Sequence, residues 1–276
     1  LGDHHSDRGA KAGFGVLTAL LVATSLSRTH NKVTHFPYDG TCDICVSARQ
    51  PSKGFKKSAA NRAQRSNQPR VHADTQGPLS KDLHGNEYLQ TFVDEVSGWR
   101  EHTPKQSTSS SEAYKVFKGQ FRDSKSGASV CKTDGGPEFQ TEFVEGIERL
   151  HLSHQRSAPE EPDSNPHVEG EHVHSNGGIR ALMLQANSPI NLWSYAAKYW
   201  SYAMNRSFIG RNRTGTAYQS TRGAAFKGDL PPWVCRALAK LPREAKRTKF
   251  AAVSFESVFF ISFGKRPNKY QTRNDL

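Results

Sequence analysis

The stretch SVCKTDGGPEF at positions 129–139 decides the fold, because it predicts a short strand that ends on a carboxylate, Asp134. The earlier segment VHAD at positions 71–74 has the same form and ends on Asp74. A third acid, Glu169, lies at the start of a predicted helix. Acids at two strand ends and at the start of a helix can meet at one point, so the sequence predicts a cluster of carboxylates as well as a sheet.

The segments around these strands predict further elements of both kinds. Turn residues at 84–86 followed by a β-rich run at 88–93 predict a hairpin with the first strand. Ser109 and Glu112 form a capping box that predicts a helix start. Further helices are predicted at 139–150 and 168–185, with a short strand at 151–154, and Asn176-Gly177-Gly178 is expected to weaken the second of these helices.

The clearest helix is predicted at 189–205. Ser188 is its predicted N-cap, and Pro189 occupies the first turn. Its apolar stripe predicts core packing and consists of Ile190, Trp193, Ala197, Trp200 and Met204. Strands, hairpin and helices in this order predict a mixed α/β domain over about 66–215.

Composition narrows the function classes. The 276 residues hold 38 Lys and Arg against 26 Asp and Glu, a formal charge of 38 − 26 = +12, which favours a nucleic-acid partner. The mean hydropathy of −0.71 and 35% hydrophobic content predict one folded domain with polar arms. The apolar run at 14–26 is too short to span a membrane, and four cysteines exclude a disulfide scaffold. Because the first residue is Leu, we expect a piece of a longer polyprotein.

A basic segment without acids precedes the predicted domain at 47–65. It is either a solvated connector or an arm that follows phosphates, because a block of like charges cannot bury itself. The candidate DNA-binding residues in it are Lys53, Lys56, Lys57, Arg62 and Arg65.

Two short motifs carry ligand types for metals. His30, His35, Cys42 and Cys45 have the donor set of a tetrahedral Zn²⁺ site, with a reduced cysteine pair and two surface histidines as the alternative. The other histidines, His172 among them, are expected at the surface.

Oxygen ligands point to a different kind of ion. Three carboxylates suffice for a pair of Mg²⁺ or Mn²⁺ ions, which can hold the attacking and leaving oxygens of a phosphoryl displacement. Asp74 and Asp134 are two of these ligands, and Glu171 rivals Glu169 as the third.

The motifs, taken in order, resemble those of retrotransposon and retroviral integrases, most closely the Copia type, over about residues 26–270. The carrying segments are HADTQGP at 72–78, KTDGGPEF at 132–139, SNPHVE at 164–169, IRAL at 179–182 and LWSYA at 192–196, and THFP at 34–37 with CDIC at 42–45 resembles the zinc module of these proteins. Pro166 and Gly170 depart from the pattern, which has Gly before and a basic residue after the glutamate. Six residues separate His35 from Cys42, fewer than in retroviral versions.

The resemblance implies a ribonuclease H-like mixed sheet flanked by helices, with a small N-terminal zinc-like module and a basic C-terminal tail. It implies that Asp74, Asp134 and Glu169 bind two Mg²⁺ or Mn²⁺ ions for 3′-end processing and strand transfer, and that Asn165 contacts DNA. It further implies element-end and target DNA as partners, a homo-oligomer, no membrane, and a nuclear site of action after a cytoplasmic particle. Two alternatives remain: a degenerate, inactive nucleic-acid-binding remnant, and a ribonuclease H-like nuclease.

These expectations divide the chain into five regions. They are an arm at 1–29, the zinc-like module at 30–46, the basic linker at 47–65, the catalytic core at 66–215 and the basic tail at 216–276, in which short strands are expected.

Overall fold

A computed structural model describes residues 29–48, 68–157, 165–210, 213–240, 255–263 and 270–272. The predicted arm, the basic linker after residue 48 and its five candidate DNA-binding residues lie outside these ranges. No helix in the part of the chain described here is both long and apolar enough to cross a membrane.

A five-stranded mixed sheet forms the centre of the protein. Its strands are β1 (Arg70–Gln76), β2 (Tyr88–Asp94), β3 (Arg100–Lys105), β4 (Val130–Thr133) and β5 (Ser153–Arg156). They lie in the order β3-β2-β1-β4-β5, with β1–β2 and β2–β3 antiparallel and β1–β4 and β4–β5 parallel. This order and these directions are those of a ribonuclease H-like sheet, so the predicted fold class is confirmed.

Helices cover both faces of this sheet. They are α1 (Asp43–Ala48), α2 (Ser110–Ser124), α3 (Glu142–Glu148), α4 (Pro166–Gln185), α5 (Trp193–Ser207) and α6 (Ala217–Arg222). Side chains alternate across a strand, so the sheet has two cores. Phe92 of β2 packs with α2 and α3, whereas Leu89 of the same strand packs with α4 and α5.

The capping prediction for α2 is confirmed in its first half. The Ser109 hydroxyl accepts a hydrogen bond from the Glu112 N–H at 3.3 Å. The Glu112 carboxylate reaches back to the N–H groups of Gln106 and Ser107 rather than to Ser109. The helix therefore begins where the motif predicts, with the glutamate also closing the preceding loop.

Three predicted elements differ from the structure. Residues 190–192 form a separate 3₁₀ turn (Ile190–Leu192) before α5, so Ser188 is not a helix cap and Ile190 is 64% exposed. The helix predicted at 139–150 is split into a 3₁₀ turn (Pro137–Phe139) and α3, because Thr141 between them has a positive φ of 40°. The strand predicted at 151–154 begins two residues later.

Helix α4 is continuous through the glycines that were expected to weaken it. A Cβ atom on Gly178 would lie 1.9 Å from Nε1 of Trp200 in α5. Glycine at this position therefore allows α4 and α5 to approach closely. The Trp200 indole also donates a hydrogen bond to the Thr34 carbonyl at 3.2 Å.

The C-terminal strands form a second sheet. β6 (Arg236–Lys240), β7 (Phe255–Phe263) and β8 (Tyr270–Thr272) pair in that order, both pairs antiparallel. Short strands were predicted in this tail, and its described residues form three.

Candidate functional site

Strand register brings Asp74 and Asp134 to the same end of the sheet. His72 of β1 pairs with Lys132 of the parallel strand β4, so the two aspartates occupy equivalent positions two residues further along. The Asp74 carboxylate accepts a hydrogen bond from the Thr75 N–H at 2.7 Å, and the Asp134 carboxylate accepts one from the Gly136 N–H at 3.1 Å. Asp134 directly follows β4, as predicted, whereas Asp74 lies two residues before the end of β1, which continues to Gln76.

Three further acids act electrostatically on Asp74. Burial first, and then the charges of Asp134, Glu138 and Glu169, raise the pKa of Asp74 to about 7 against the opposing Thr75 hydrogen bond. Three like charges near one carboxyl group favour a cation or a proton there. The arrangement can therefore hold hard divalent ions.

Glu138 is a member of this site that sequence reasoning missed. Its side chain is buried, and a Cβ on Gly136 would lie 2.6 Å from Glu138 Oε2 and 3.1 Å from Asp134 Oδ1. The two carboxylates thus flank Gly136 closely. The signal was present in the sequence, because Glu138 is part of the motif that contains Asp134.

A buried lysine partly balances these acids. Lys105 is 1% exposed, and burial lowers its pKa while the nearby charges of Glu138, Glu112 and Asp74 raise it. It was not predicted, because a lysine in a β-prone segment carries no local sign of the acids that the fold brings beside it.

The structure separates the two rivals for the third acid. Glu169 lies in the first turn of α4, is exposed and acts electrostatically on Asp74. Glu171 is 5% exposed, and its Oε2 lies 3.0 Å from Nη1 of Arg100, so it forms an ion pair in the core. Glu169 is thus the one of the two that faces the carboxylate cluster.

His172 lies beside Asp74, although it was expected at the surface. Its Nδ1 is 3.5 Å from Asp74 Oδ2, and burial lowers the pKa of His172 to about 4. The spacing of three residues from Glu169 is the signal that could have found it, because residues three apart share a helix face.

The four predicted zinc ligands do come together. The Sγ atoms of Cys42 and Cys45 each lie 3.7 Å from Nδ1 of His35, and Cys45 Sγ lies 3.9 Å from the ring nitrogens of His30. Tetrahedral Zn²⁺ with its usual bond lengths separates a sulfur and a nitrogen ligand by about 3.6 Å. The donor set and the distances therefore fit zinc.

Two outer hydrogen bonds orient the histidines of this module. His30 Nδ1 lies 2.8 Å from the Pro37 carbonyl, and His35 Nε2 lies 3.1 Å from Gln185 Oε1. Each bond occupies one ring nitrogen and leaves the other facing the cysteines, as in zinc sites with ordered outer contacts. The bond to Gln185 also joins the module to the C-terminal end of α4.

Asn165, predicted to contact DNA, is 4% exposed, and its Oδ1 lies 2.6 Å from Nδ1 of His72. Its carbonyl also begins α4 by accepting the Glu169 N–H at 3.1 Å. The structure thus places Asn165 between β1 and the start of the helix that carries Glu169.

The fold and this edge define the class: a ribonuclease H-like α/β protein with acids grouped at the ends of two parallel strands. Its sequence is similar to the retrovirus-related Pol polyprotein from transposon TNT 1-94 of Nicotiana tabacum, with 24% identity over 241 residues. The match covers 83% of this chain and 17% of that polyprotein. This match confirms the resemblance to retrotransposon Pol polyproteins. No protein-family model matches the sequence.

Solved structures with a similar fold are retroviral integrases. The HTLV-2 integrase catalytic core domain in complex with magnesium has a TM-score of 0.45 and 20% identity, over 57% of this chain and 99% of that one. The catalytic core domain of BIV integrase has a TM-score of 0.43 and 16% identity, over 56% and 93%. The simian T-cell lymphotropic virus intasome has a TM-score of 0.47 and 17% identity, over 84% of each chain.

Proposed function

We propose that this chain is an integrase segment of a retrotransposon polyprotein, which binds DNA and catalyses metal-dependent 3′-end processing and strand transfer. The observation that carries the proposal is the register of β1 and β4, which sets Asp74 and Asp134 side by side with Glu169 acting on Asp74. The similarity to a retrotransposon Pol polyprotein supports the same activity.

In this proposal Asp74, Asp134 and Glu169 hold two Mg²⁺ or Mn²⁺ ions. When bound, the ions supply Lewis acidity for the attacking water or 3′-hydroxyl and for the leaving oxygen. Asp74 gives up its proton on binding, because only the carboxylate is a ligand. His172, neutral and 3.5 Å from Asp74, orients the remaining carboxylate oxygen. The protein contributes position and charge, without a covalent intermediate.

The three carboxylates stand further apart than the ligands of one compact site. Within the residues that the structure describes, two groups have ligand atoms all within 4.8 Å, and the acidic trio is not one of them. Two ions about 3.5–4 Å apart need ligands spread around both ions.

The roles of the His/Cys module and of the basic linker follow from their ligand types and charge and from the resemblance. The module of two histidines and two cysteines holds a structural Zn²⁺ and packs against α4. The basic linker supplies phosphate contacts to element-end and target DNA, with the protein acting as a homo-oligomer in the nucleus.

A joining assay tests the proposal. The purified chain is given Mn²⁺ and labelled duplex carrying the terminal sequence of its own element, and joined products are measured. Asp134→Asn should reduce joining by at least about 10²-fold, because ion-held charge is worth several kcal/mol at the transition state. Glu142→Gln, an exposed acid on α3, is the matched control.

Two results would contradict the proposal. Salt-sensitive DNA binding without joining in the unaltered chain would identify the inactive remnant, the alternative that Pro166 and Gly170 support. Cleavage of an RNA–DNA hybrid without joining would identify the ribonuclease H-like nuclease.

A further inference from the structure

A third cluster of metal-ligand side chains lies beside the carboxylates and has no part in the function proposed above. Glu95, in the turn after β2, lies between two histidines. Its Oε1 is 3.1 Å from Nε2 of His72 and 2.8 Å from Nε2 of His167. The ligand atoms of the three residues all lie within 4.8 Å of one another. The cluster thus joins β1, the β2–β3 turn and the first turn of α4.

The hydrogen bond to Asn165 turns Nε2 of His72 toward Glu95. Nδ1 of His72 lies 2.6 Å from Asn165 Oδ1, so this ring nitrogen is already used. Nε2 faces the Glu95 carboxylate oxygen at 3.1 Å and is buried without a hydrogen-bond partner. A positive species between these two atoms can use both as ligands.

Geometry and charge fit a metal ion as that species. Ligands of a zinc-type ion are separated by about 2.9–3.4 Å for bond angles between 90° and 109°. The two measured contacts of Glu95 lie near this range.

The cluster is partly exposed, so an ion can reach it from the solvent. The side chain of His72 is 2% exposed, that of Glu95 26% and that of His167 52%. One ligand is therefore fixed in the core while another lies at the surface, which leaves a coordination position open to solvent. Two imidazoles and one carboxylate select zinc-like transition metals over Mg²⁺, which prefers oxygen ligands.

We propose that His72, Glu95 and His167 form a transition-metal site, filled by Zn²⁺ or a similar ion, separate from both the His/Cys module and the acidic trio. The ion ties the first turn of α4 to β1. Because His72 and His167 each lie two residues before an acid of the trio, Asp74 and Glu169, the ion also fixes the distance between those acids. This last consequence rests on the proposed function; the metal site itself does not.

Metal stoichiometry tests the site without DNA. The full chain is stripped with a chelator, equilibrated with buffered Zn²⁺ in excess Mg²⁺, and its bound zinc is measured. We expect two zinc ions per chain, and one in His167→Gln and in Glu95→Gln. His167 is exposed, so its variant should keep its fold, which circular dichroism checks. His151→Gln, which replaces an exposed histidine outside the cluster, is the control and should still bind two.

Cobalt identifies which site is lost. Co²⁺ bound by the cysteines gives a thiolate charge-transfer band, whereas Co²⁺ bound by His72, Glu95 and His167 gives visible absorption without that band. We expect Cys42→Ser to lose the thiolate band and keep one bound ion, and His167→Gln to keep the band. If His167→Gln and Glu95→Gln bind as much zinc as the unaltered chain, a proton rather than a metal bridges His72 and Glu95, and the proposal is wrong.

Discussion

Replacing Gly178 by alanine should destabilise the protein, although alanine is the better helix former. The added Cβ would lie 1.9 Å from Trp200 Nε1 and 2.6 Å from two other atoms of the indole, which is buried at 0% exposure. The ring must therefore move or α4 must shift away from α5. Either movement disturbs the indole hydrogen bond to Thr34 in the His/Cys module.

The magnitude follows from three terms. Overpacking a core costs about 1–3 kcal/mol, and losing one hydrogen bond costs about 0.5–1.5 kcal/mol. Replacing a helical glycine by alanine stabilises the helix by about 1 kcal/mol. We expect the free energy of unfolding to fall by about 1–3 kcal/mol in Gly178→Ala.

Gly170 in the same helix is the matched control. A Cβ there meets nothing within 4 Å, so Gly170→Ala should raise the free energy of unfolding by up to about 1 kcal/mol. Urea denaturation followed by circular dichroism measures both variants under the same conditions. If Gly178→Ala is as stable as Gly170→Ala, the close approach of α4 and α5 is not what requires glycine, and the reasoning fails.

Three further predictions concern the acids and the zinc module. Glu169→Gln should abolish joining in the DNA assay and leave the melting temperature unchanged. Glu171→Gln should lower the free energy of unfolding by about 3–5 kcal/mol, because it leaves the partly buried Arg100 without its carboxylate partner. Burial raises the pKa of Glu101 to about 8 from 4.5. Between these two pH values the folded state holds one more proton than the unfolded state, so the free energy of unfolding falls as the pH rises. Glu101→Gln should reduce this pH dependence, which denaturation curves at pH 5 and pH 9 measure. Chelating zinc should lower the free energy of unfolding by about 4 kcal/mol for the His/Cys module when free zinc had been about 1,000-fold above its Kd, and Cys45→Ser should remove this module's part of the response in thermal melts.

Local signals accounted for much of the fold. The strands next to Asp74 and Asp134 were predictable because each is a β-rich run in the chain, although β1 continues two residues beyond Asp74. The start of α2 was predictable because Ser109 caps it directly. Ile190 was misplaced because a 3₁₀ turn, which has a different periodicity, precedes α5.

Long-range contacts accounted for what the sequence did not show. Glu95 and His167 are 72 positions apart, and only the docking of α4 on the sheet brings them to 2.8 Å. Gly178 was interpreted as a helix-weakening residue because its partner, Trp200, is on another helix. The spacing of apolar residues describes one helix or strand at a time, so it cannot predict a contact between two of them.

Helix α4 is held at both ends by groups that we propose bind metals. Its 20 residues span about 30 Å, from the His72–Glu95–His167 cluster at Asn165 to the zinc module at Gln185. Between these anchors the helix contains asparagine and glycine, which favour it little. The supply of zinc would then determine how firmly this helix is held. In protein made without zinc, the helix that carries Glu169 would be fixed at neither end, and adding zinc to that protein would restore its position.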